Sequence, residues 1–227
     1  MNKNVVLFFL VVALMGCKKS KNSTTSHTVT LQPGSEGQDT YVAKIDNEPT
    51  DGGANLDWTN EIVIARWKAN NNPNNATWRS YIKFVNLKDI PSNATVNSAK
   101  LYLFGEPSSL SFPNGNSSFP GSPNGDNTSL VQRVTGGDWN ETTLTWNNMP
   151  AVTNVGQATI SPSTSQWNYN AVVDVTDIVK EMVAHPNTNY GFCVKLANET
   201  PSRALVFNTS EAADPSVRPK LVVDATY

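Results

Sequence analysis

The stretch DWNETTLTWNNMP, from Asp138 to Pro150, places a polar, threonine-rich turn between Trp139 and Trp146. Neither the 3.6-residue period of an amphipathic helix nor the two-residue alternation of a strand accounts for this order of residues. The stretch therefore predicts a specific turn, and we expect both tryptophans to pack that turn against the core.

This stretch resembles the signature of DNRLRE-type domains, a group that includes carbohydrate-binding module family 96. Two segments, Ala65 to Trp78 and Gly105 to Thr128, are longer than this resemblance leads us to expect. The resemblance implies a domain that binds polysaccharide. Because the family has members that bind alginate, it also implies that this polysaccharide is acidic. Further segments similar to the family follow in the family's order and cover nearly all of the chain after residue 38: Asp39–Tyr41, Arg79–Phe84, Ile90–Phe104, Val172–Val179, Tyr190–Leu196 and Phe207–Val223.

Short segments rich in Val, Ile, Tyr and Phe alternate along the chain with clusters of Asn, Gly, Pro and Ser. This pattern predicts an all-β fold, an antiparallel, jelly-roll-like β-sandwich. The predicted strands are Thr28–Leu31, Asp39–Lys44, Glu61–Trp67, Ser80–Val85, Ala99–Phe104, Leu130–Val134, Val172–Val175, Tyr190–Leu196, Ala204–Thr209 and Lys220–Asp224.

One short helix is predicted between Thr176, which can cap its start, and Pro186, which prevents its continuation. Helical spacing brings its apolar residues to one face. These residues are Ile178, Val179, Met182 and Val183.

The N-terminus has the pattern of a bacterial lipoprotein signal peptide. Lys3 precedes an apolar run that ends before Gly16-Cys17, and the run is shorter than the ~20 residues that a membrane-spanning helix needs. We expect residues 1–16 to be removed, Cys17 to carry lipid, residues 17–27 to form a flexible tether and residues 28–227 to form one β-sandwich domain. This predicts a lipid anchor in the cell envelope, with the outer membrane as the expected membrane and its face left open. The alternative is an ordinary secretory signal with a chance cysteine at its end.

Charge and cysteine content narrow the classes of function. The chain has 17 basic and 19 acidic residues, and this net charge of −2 gives no reason to expect nucleic acid as a partner.

With Cys17 lipidated, only Cys193 remains, so no intrachain disulfide is expected. The apolar neighbours of Cys193 predict a buried, inert thiol. We expect a monomer.

Strand alternation predicts an exposed sheet face that carries cations and tyrosines. In the strand that begins at Arg79, the residues Ile82 and Phe84 are expected to point into the core. Arg offers a planar fork to a carboxylate, Lys a mobile charge, and Tyr an apolar surface for a sugar ring. The alternative is a solvated face whose charges only discourage edge pairing. The predicted ligand-binding residues are Arg79, Tyr81, Lys83, Lys100, Tyr102 and Lys195.

Acidic residues near the two ends raise the question of a structural Ca²⁺, which takes six to eight oxygen ligands. The candidates are Asp39, Asp51 and Glu211, although no spaced calcium motif is present. The alternative for Glu211 is an ion pair with Arg79 or Arg218. No other cofactor is expected.

Catalysis has little support, since the chain lacks a zinc motif, a nucleophile elbow and a phosphate loop. Asp138 and Glu141 have the residue types of a glycosidase pair, but their spacing favours a role in the turn. Tyr81 or Tyr102 would have to serve as the base of a lyase. The sequence thus predicts non-catalytic binding of an acidic, uronate-type polysaccharide.

Two other functions stay open. One is a structural or adhesion module of the envelope that uses the loop from Gly105 to Thr128, and the other is a polysaccharide lyase or hydrolase. Among the tryptophans that flank loops, we expect one or two to contact sugar. These tryptophans are Trp58, Trp67, Trp78 and Trp167.

Overall fold

The structure, a computed structural model, describes residues 24–34, 36–57, 60–69 and 72–227. The expected signal peptide, Cys17 and Trp58 lie outside the described residues. Within them the chain forms eleven β-strands and one α-helix, α1, at Thr176–Ala184. The strands are β1 (Ser26–Leu31), β2 (Gln38–Ile45), β3 (Glu61–Lys68), β4 (Asn75–Lys83), β5 (Thr95–Leu103), β6 (Ser129–Val134), β7 (Val152–Ile160), β8 (Ala171–Asp174), β9 (Phe192–Leu196), β10 (Arg203–Asn208) and β11 (Lys220–Thr226).

The strands form two sheets. The smaller sheet has the order β1-β11-β5-β8, and the larger has the order β10-β3-β4-β9-β6-β7, with β2 also paired to β4. The pairings between these strands are antiparallel. The predicted all-β, antiparallel sandwich with one short helix is therefore confirmed.

Strand β4 organises the larger sheet because two strands share one of its edges. β3 pairs with the first half of β4, up to Ala65 opposite Trp78, and β9 pairs with the second half, from Ser80 opposite Val194. Ser80 bridges the point where β3 diverges, since its Oγ donates to the Val63 carbonyl oxygen at 2.8 Å and accepts from the Val63 N–H at 2.9 Å. One hydroxyl thus replaces a missing pair of ladder hydrogen bonds.

The main core lies between the two sheets, and α1 adds its apolar face to it. Ile82 and Phe84 lie in this core as alternation predicted. The same holds for the other residues expected to point inward, which are Leu101, Leu103, Phe192, Val194 and Leu196, and for the helix residues Ile178, Val179, Met182 and Val183.

Two smaller apolar clusters lie outside the main core. One joins Val63 and Val206 to Phe112, which comes from the long loop between β5 and β6. The other joins Tyr81 and Cys193 to Trp139 and other residues of the Asp138–Pro150 stretch. The larger sheet is therefore covered over part of its outer side, whereas β5 of the smaller sheet alternates between buried and accessible residues.

The structure differs from the predicted strands in two places, after Trp67 and between β6 and β8. The segment from Ala65 to Trp78 is mostly a β-hairpin, because Lys68 pairs with Asn75 and the strands continue on both sides. Strand β7 was not predicted, since it is a largely exposed strand at the sheet edge and needs few apolar residues. The segment from Gly105 to Thr128 contains no strand, as its composition predicted.

In the described part of the chain, no helix combines the length and the apolar character needed to cross a membrane.

Candidate functional site

The residues predicted to share one exposed face lie on two different sheets. Lys100 and Tyr102 belong to β5 of the smaller sheet, while Arg79 and Lys195 belong to β4 and β9 of the larger one, together with Tyr81 and Lys83. The expectation of a single face is wrong because alternation assigns a side to each residue but does not say which strands share a sheet. Whether these residues bind sugar stays a prediction.

Tyr81 and Lys83 are buried rather than exposed, because the Asp138–Pro150 stretch covers them. Tyr81 is 1% exposed, and its ring centroid lies 5.7 Å from that of Trp139 in an edge-on contact. Lys83 is 5% exposed, and its Nζ donates to Asp138 Oδ1 at 2.7 Å and to the Trp139 carbonyl oxygen at 2.8 Å. These two residues therefore form part of the surface of β4 against which the stretch packs.

The Asp138–Pro150 stretch is held by hydrogen bonds at both ends. Trp139 is buried, and its Nε1 donates to the Tyr190 carbonyl oxygen at 2.7 Å. The Asn148 side chain closes the turn, since it accepts from the Thr145 N–H at 2.7 Å and donates to the Thr143 carbonyl oxygen at 3.0 Å. The expected packing role is confirmed for Trp139. Trp146 is only half-buried, so its ring contributes to the surface.

Arg79 lies beneath the accessible ring of Trp146. Its guanidinium carbon is 4.7 Å from the centre of that ring. Its Nε and Nη2 donate to the two carboxylate oxygens of Glu199 at 2.8 Å and 2.9 Å. The hydrogen bond to Glu199 raises the pKa of Arg79, so the guanidinium keeps its charge. This arrangement fixes a cation and an aromatic ring side by side.

Two lysines extend this arrangement across the sheet. Lys195 comes next after Val194, which pairs with Ser80, and so lies opposite Arg79 on the neighbouring strand. Lys44 pairs with Thr77, two residues before Arg79, so alternation puts it on the same side. Both lysines are partly exposed. We call Lys44, Arg79 and Lys195 the basic row.

The basic row carries an excess of positive charge. Among the described residues Lys44 and Lys195 make no ion pair, and Glu199 balances only Arg79. The smaller sheet differs, since Lys100 pairs in register with Asp174. The Nζ of Lys220 also lies 4.7 Å from the centre of the Tyr102 ring and occupies that aromatic surface. The larger sheet therefore carries the less compensated positive charge of the two groups of cations.

The three calcium candidates do not form a common site. The Asp51 carboxylate accepts from the Ile45 N–H at one end of β2, whereas Asp39 lies near the other end. Asp39 Oδ2 accepts from the Ser210 N–H at 3.0 Å, and Glu211 accepts from the Ser210 hydroxyl at 2.8 Å. No group of three or more His, Cys, Asp or Glu side chains within the described ranges could hold a metal ion.

Asp39 instead lies buried close to two other acidic residues, Glu211 and Glu141. Burial, followed by the nearby charge of Glu211, raises the pKa of Asp39 to about 7. The Asp39 N–H donates to Glu141 Oε2 at 3.1 Å. The alternative of an ion pair between Glu211 and Arg79 or Arg218 is wrong, since neither pair occurs among the described residues. Arg79 binds Glu199, and Arg218 donates through Nε to the Ala212 carbonyl oxygen.

The candidate catalytic residues have structural contacts. Asp138 binds Lys83, and Glu141 binds the backbone of β2, as the spacing of the two carboxylates led us to expect for a turn. Burial raises the pKa of Tyr81, which makes it a poorer base at neutral pH. Cys193 is buried, as predicted, and that burial raises its pKa to about 11.

Sequence reasoning missed three members of the candidate site. Lys44 was assigned to a strand but not to the site, although alternation within β2 carried that signal. Trp146 packs against the cluster of Tyr81 and Trp139, as expected, but its contact with Arg79 is additional. Glu199 belongs to none of the segments that resemble the family. The packing of the Asp138–Pro150 stretch over β4 brings Trp146 to Arg79. Lys44 comes beside Arg79 through the pairing of β2 with β4, and Glu199 reaches it from the connection between β9 and β10.

Comparison with known families gives a match that covers the β-sandwich and includes the Asp138–Pro150 stretch. A search of curated proteins found no match. The family model described as carbohydrate-binding module family 96 matches residues 27–225, which span the described strands almost completely. The chain therefore belongs to carbohydrate-binding module family 96.

Proposed function

We propose that this protein binds an acidic, uronate-type polysaccharide without cleaving it, and that the basic row and Trp146 form the binding surface. Membership of a carbohydrate-binding family supports the general class of ligand. The observation that carries the finer proposal is the Arg79 guanidinium, held 4.7 Å from the half-buried Trp146 ring and beside Lys195 on the next strand.

The chemistry of the basic row suits a polymer with one carboxylate on each sugar. Glu199 occupies Nε and Nη2 of Arg79, and Nη1 has no hydrogen-bond partner among the described residues. Nη1 can therefore donate to a ligand carboxylate while Glu199 keeps the guanidinium in place. Lys44 and Lys195 add mobile charges on either side, and Trp146 offers an apolar surface to the C–H face of a sugar ring.

Binding without cleavage is the proposed activity because the candidate acid and base residues are engaged elsewhere. Asp138 and Glu141 make structural hydrogen bonds, and Tyr81 is buried. Incubation with polyuronate should therefore release no unsaturated or reducing ends, and EDTA should leave binding unchanged. New chain ends, absent after denaturation of the protein, would contradict this part of the proposal.

We further propose that the protein is a lipoprotein of the cell envelope and holds polysaccharide close to the cell. The support is the sequence pattern that ends at Gly16-Cys17. Replacing Cys17→Ser should release the protein from the membrane fraction. Membrane association of C17S equal to that of the native chain would contradict the lipid anchor.

The test of the binding surface compares variants on the two sheets. We expect Lys195→Ala to weaken binding of polygalacturonate or alginate by up to about fivefold, because a partly exposed charge contact is worth up to roughly 1 kcal/mol. Lys100→Ala, on the smaller sheet, is the matched control and should bind normally. Isothermal titration calorimetry of both purified variants measures this. Normal binding by K195A and K44A, or weakened binding by K100A alone, would place the site elsewhere.

A further inference from the structure

We propose a second carbohydrate subsite on the other side of β4, in a groove formed by Trp67, Trp78 and Phe112. The groove has a volume of about 70 Å³, and Lys68 and Asn114 lie at its rim. It would take one pyranose ring, through the ring's C–H face. This inference rests on the carbohydrate binding proposed above, but it assigns a different site with a different chemistry.

The aromatic rings are held rigidly. Trp67 pairs with Ala76, and Trp78 pairs with Ala65, so alternation places both indoles on the same side of the β3–β4 ladder. Phe112 stands edge-on to both, with ring-centre distances of 6.1 Å to Trp67 and 5.1 Å to Trp78. The two indoles are half-buried, so each keeps part of its ring accessible.

The loop wall that carries Phe112 is fixed by its own hydrogen bonds. The buried carboxylate of Glu61 accepts from the Leu110 N–H at 2.7 Å and from the Ser111 N–H at 3.2 Å. The Ser109 hydroxyl accepts from the Phe112 N–H at 2.8 Å. This part of the loop between β5 and β6 is therefore preorganised, and binding a ligand there requires little further ordering.

The composition of the groove matches a sugar better than an apolar partner. Indole faces take the C–H face of a pyranose ring, while the Lys68 ammonium and the Asn114 amide at the rim can bind its hydroxyls. The small volume limits the contact to part of one ring, such as the end of a chain.

The groove and the basic row are separate sites. Trp78 and Arg79 are consecutive in β4, so their side chains leave the strand on opposite sides. The two sites should also respond differently to salt. Charge contacts of the basic row are screened at about 1 M salt, where the Debye length is roughly 3 Å, whereas stacking on indole rings persists.

The test measures binding of neutral and uronate oligosaccharides to the purified protein in about 1 M NaCl. We expect residual binding there, which Trp67→Ala reduces about tenfold, the equivalent of roughly 1.4 kcal/mol. Lys88→Ala, an exposed substitution outside both the groove and the basic row, should keep this residual binding. If Trp67→Ala does not fold, the exposed rim variants Lys68→Ala and Asn114→Ala should together weaken it.

The outcomes separate the two sites. Binding at low salt that disappears completely in high salt would overturn the groove and leave the basic row standing. High-salt binding that is unchanged in folded W67A, or in the rim double variant, would also overturn the groove. High-salt binding lost in W67A, with low-salt binding unaffected by K195A, would support the groove and refute the basic row. No binding of any oligosaccharide would overturn both.

Discussion

The ammonium group of Lys83 lies 2.7 Å from Oδ1 of Asp138, beneath the stretch that carries the family resemblance. The lysine side chain is 6% exposed, whereas that of Asp138 is 69% exposed. The ion pair therefore joins a buried ammonium group to a carboxylate at the surface. The pair fastens the Asp138–Pro150 stretch to β4. A residue that the sequence predicted to bind sugar therefore stabilises the fold.

The first prediction follows from this pair. Lys83→Ala should lower the free energy of unfolding by about 2–3 kcal/mol, since it removes two charge-assisted hydrogen bonds and leaves the Trp139 carbonyl unsatisfied. That corresponds to roughly 4–10 °C in Tm for a domain of this size. Thermal unfolding measures the loss, and the exposed Lys88→Ala is the control. An unchanged Tm with weakened polysaccharide binding would instead restore Lys83 to the binding surface.

The two tryptophans of the Asp138–Pro150 stretch should respond differently to truncation. Trp139 is buried and donates a hydrogen bond to the Tyr190 carbonyl oxygen, so Trp139→Ala should cost about 3–5 kcal/mol of stability. Trp146 is half-buried, so Trp146→Ala should cost much less and should weaken polyuronate binding. Urea denaturation and titration calorimetry of both variants separate the roles. Equal losses of stability would show that Trp146 serves packing alone.

Stability should depend on pH through Asp39. Burial and the neighbouring Glu211 raise its pKa from 3.8 to about 7, so the folded protein binds this proton more tightly than the unfolded chain does. The resulting stabilisation is fully present below the unfolded pKa, falls as pH rises towards 7 and is lost above it. Urea denaturation between pH 4 and pH 8, a window of about four units around these values, measures this fall.

Asp39→Asn tests the assignment directly. The amide stays neutral, so the variant should be more stable than the native protein at alkaline pH, by an amount on the order of 1 kcal/mol or more, and its pH profile should be flatter. Asp89→Asn changes an exposed carboxylate and is the matched control. A D39N profile that parallels the native one across this range would assign the pH dependence to other groups.

Glu61 should control the order of the long loop between β5 and β6. Its carboxylate accepts from the N–H groups of Leu110 and Ser111, and hydrogen bonds to a charged group are worth about 1.5–3 kcal/mol each. Glu61→Ala should therefore speed amide exchange in residues 109–114 and leave exchange in β9 and β6 unchanged. Hydrogen–deuterium exchange measures this, and equal protection of residues 109–114 in both proteins would contradict it.

Most of the strands and the helix could be predicted because alternation of apolar residues and helix-ending residues are visible in the local sequence. Alternation in β4, β5 and β9 assigned Ile82, Leu101 and Phe192 to the core, and Pro186 set the limit of α1. Strand β7, at Val152–Ile160, is not predicted from the sequence because an exposed edge strand contains few apolar residues in alternation. The strand before the turn was predicted to within one residue, but the first part of β4, from Asn75 to Arg79, was not, because polar residues in and before it conceal the strand pattern.

The candidate site was predicted less well because it depends on which strands become neighbours. Nothing local to Lys100 or Lys195 says that they belong to different sheets. Nothing local to Tyr81 says that Trp139, distant in the chain, will cover it. Alternation placed Arg79 on the side of β4 opposite Ile82, but the contact with Trp146 exists only in the folded protein.

The most direct test of the central claim is the salt dependence of polyuronate binding by the native protein, compared with a variant that carries both Lys44→Ala and Lys195→Ala. The basic row predicts that native affinity falls steeply as salt rises from about 0.05 to 0.5 M, because exposed charge contacts are screened. The double variant should bind more weakly at low salt and show a flatter dependence. Identical affinities and identical salt dependence of the two proteins would contradict the basic row as the binding surface.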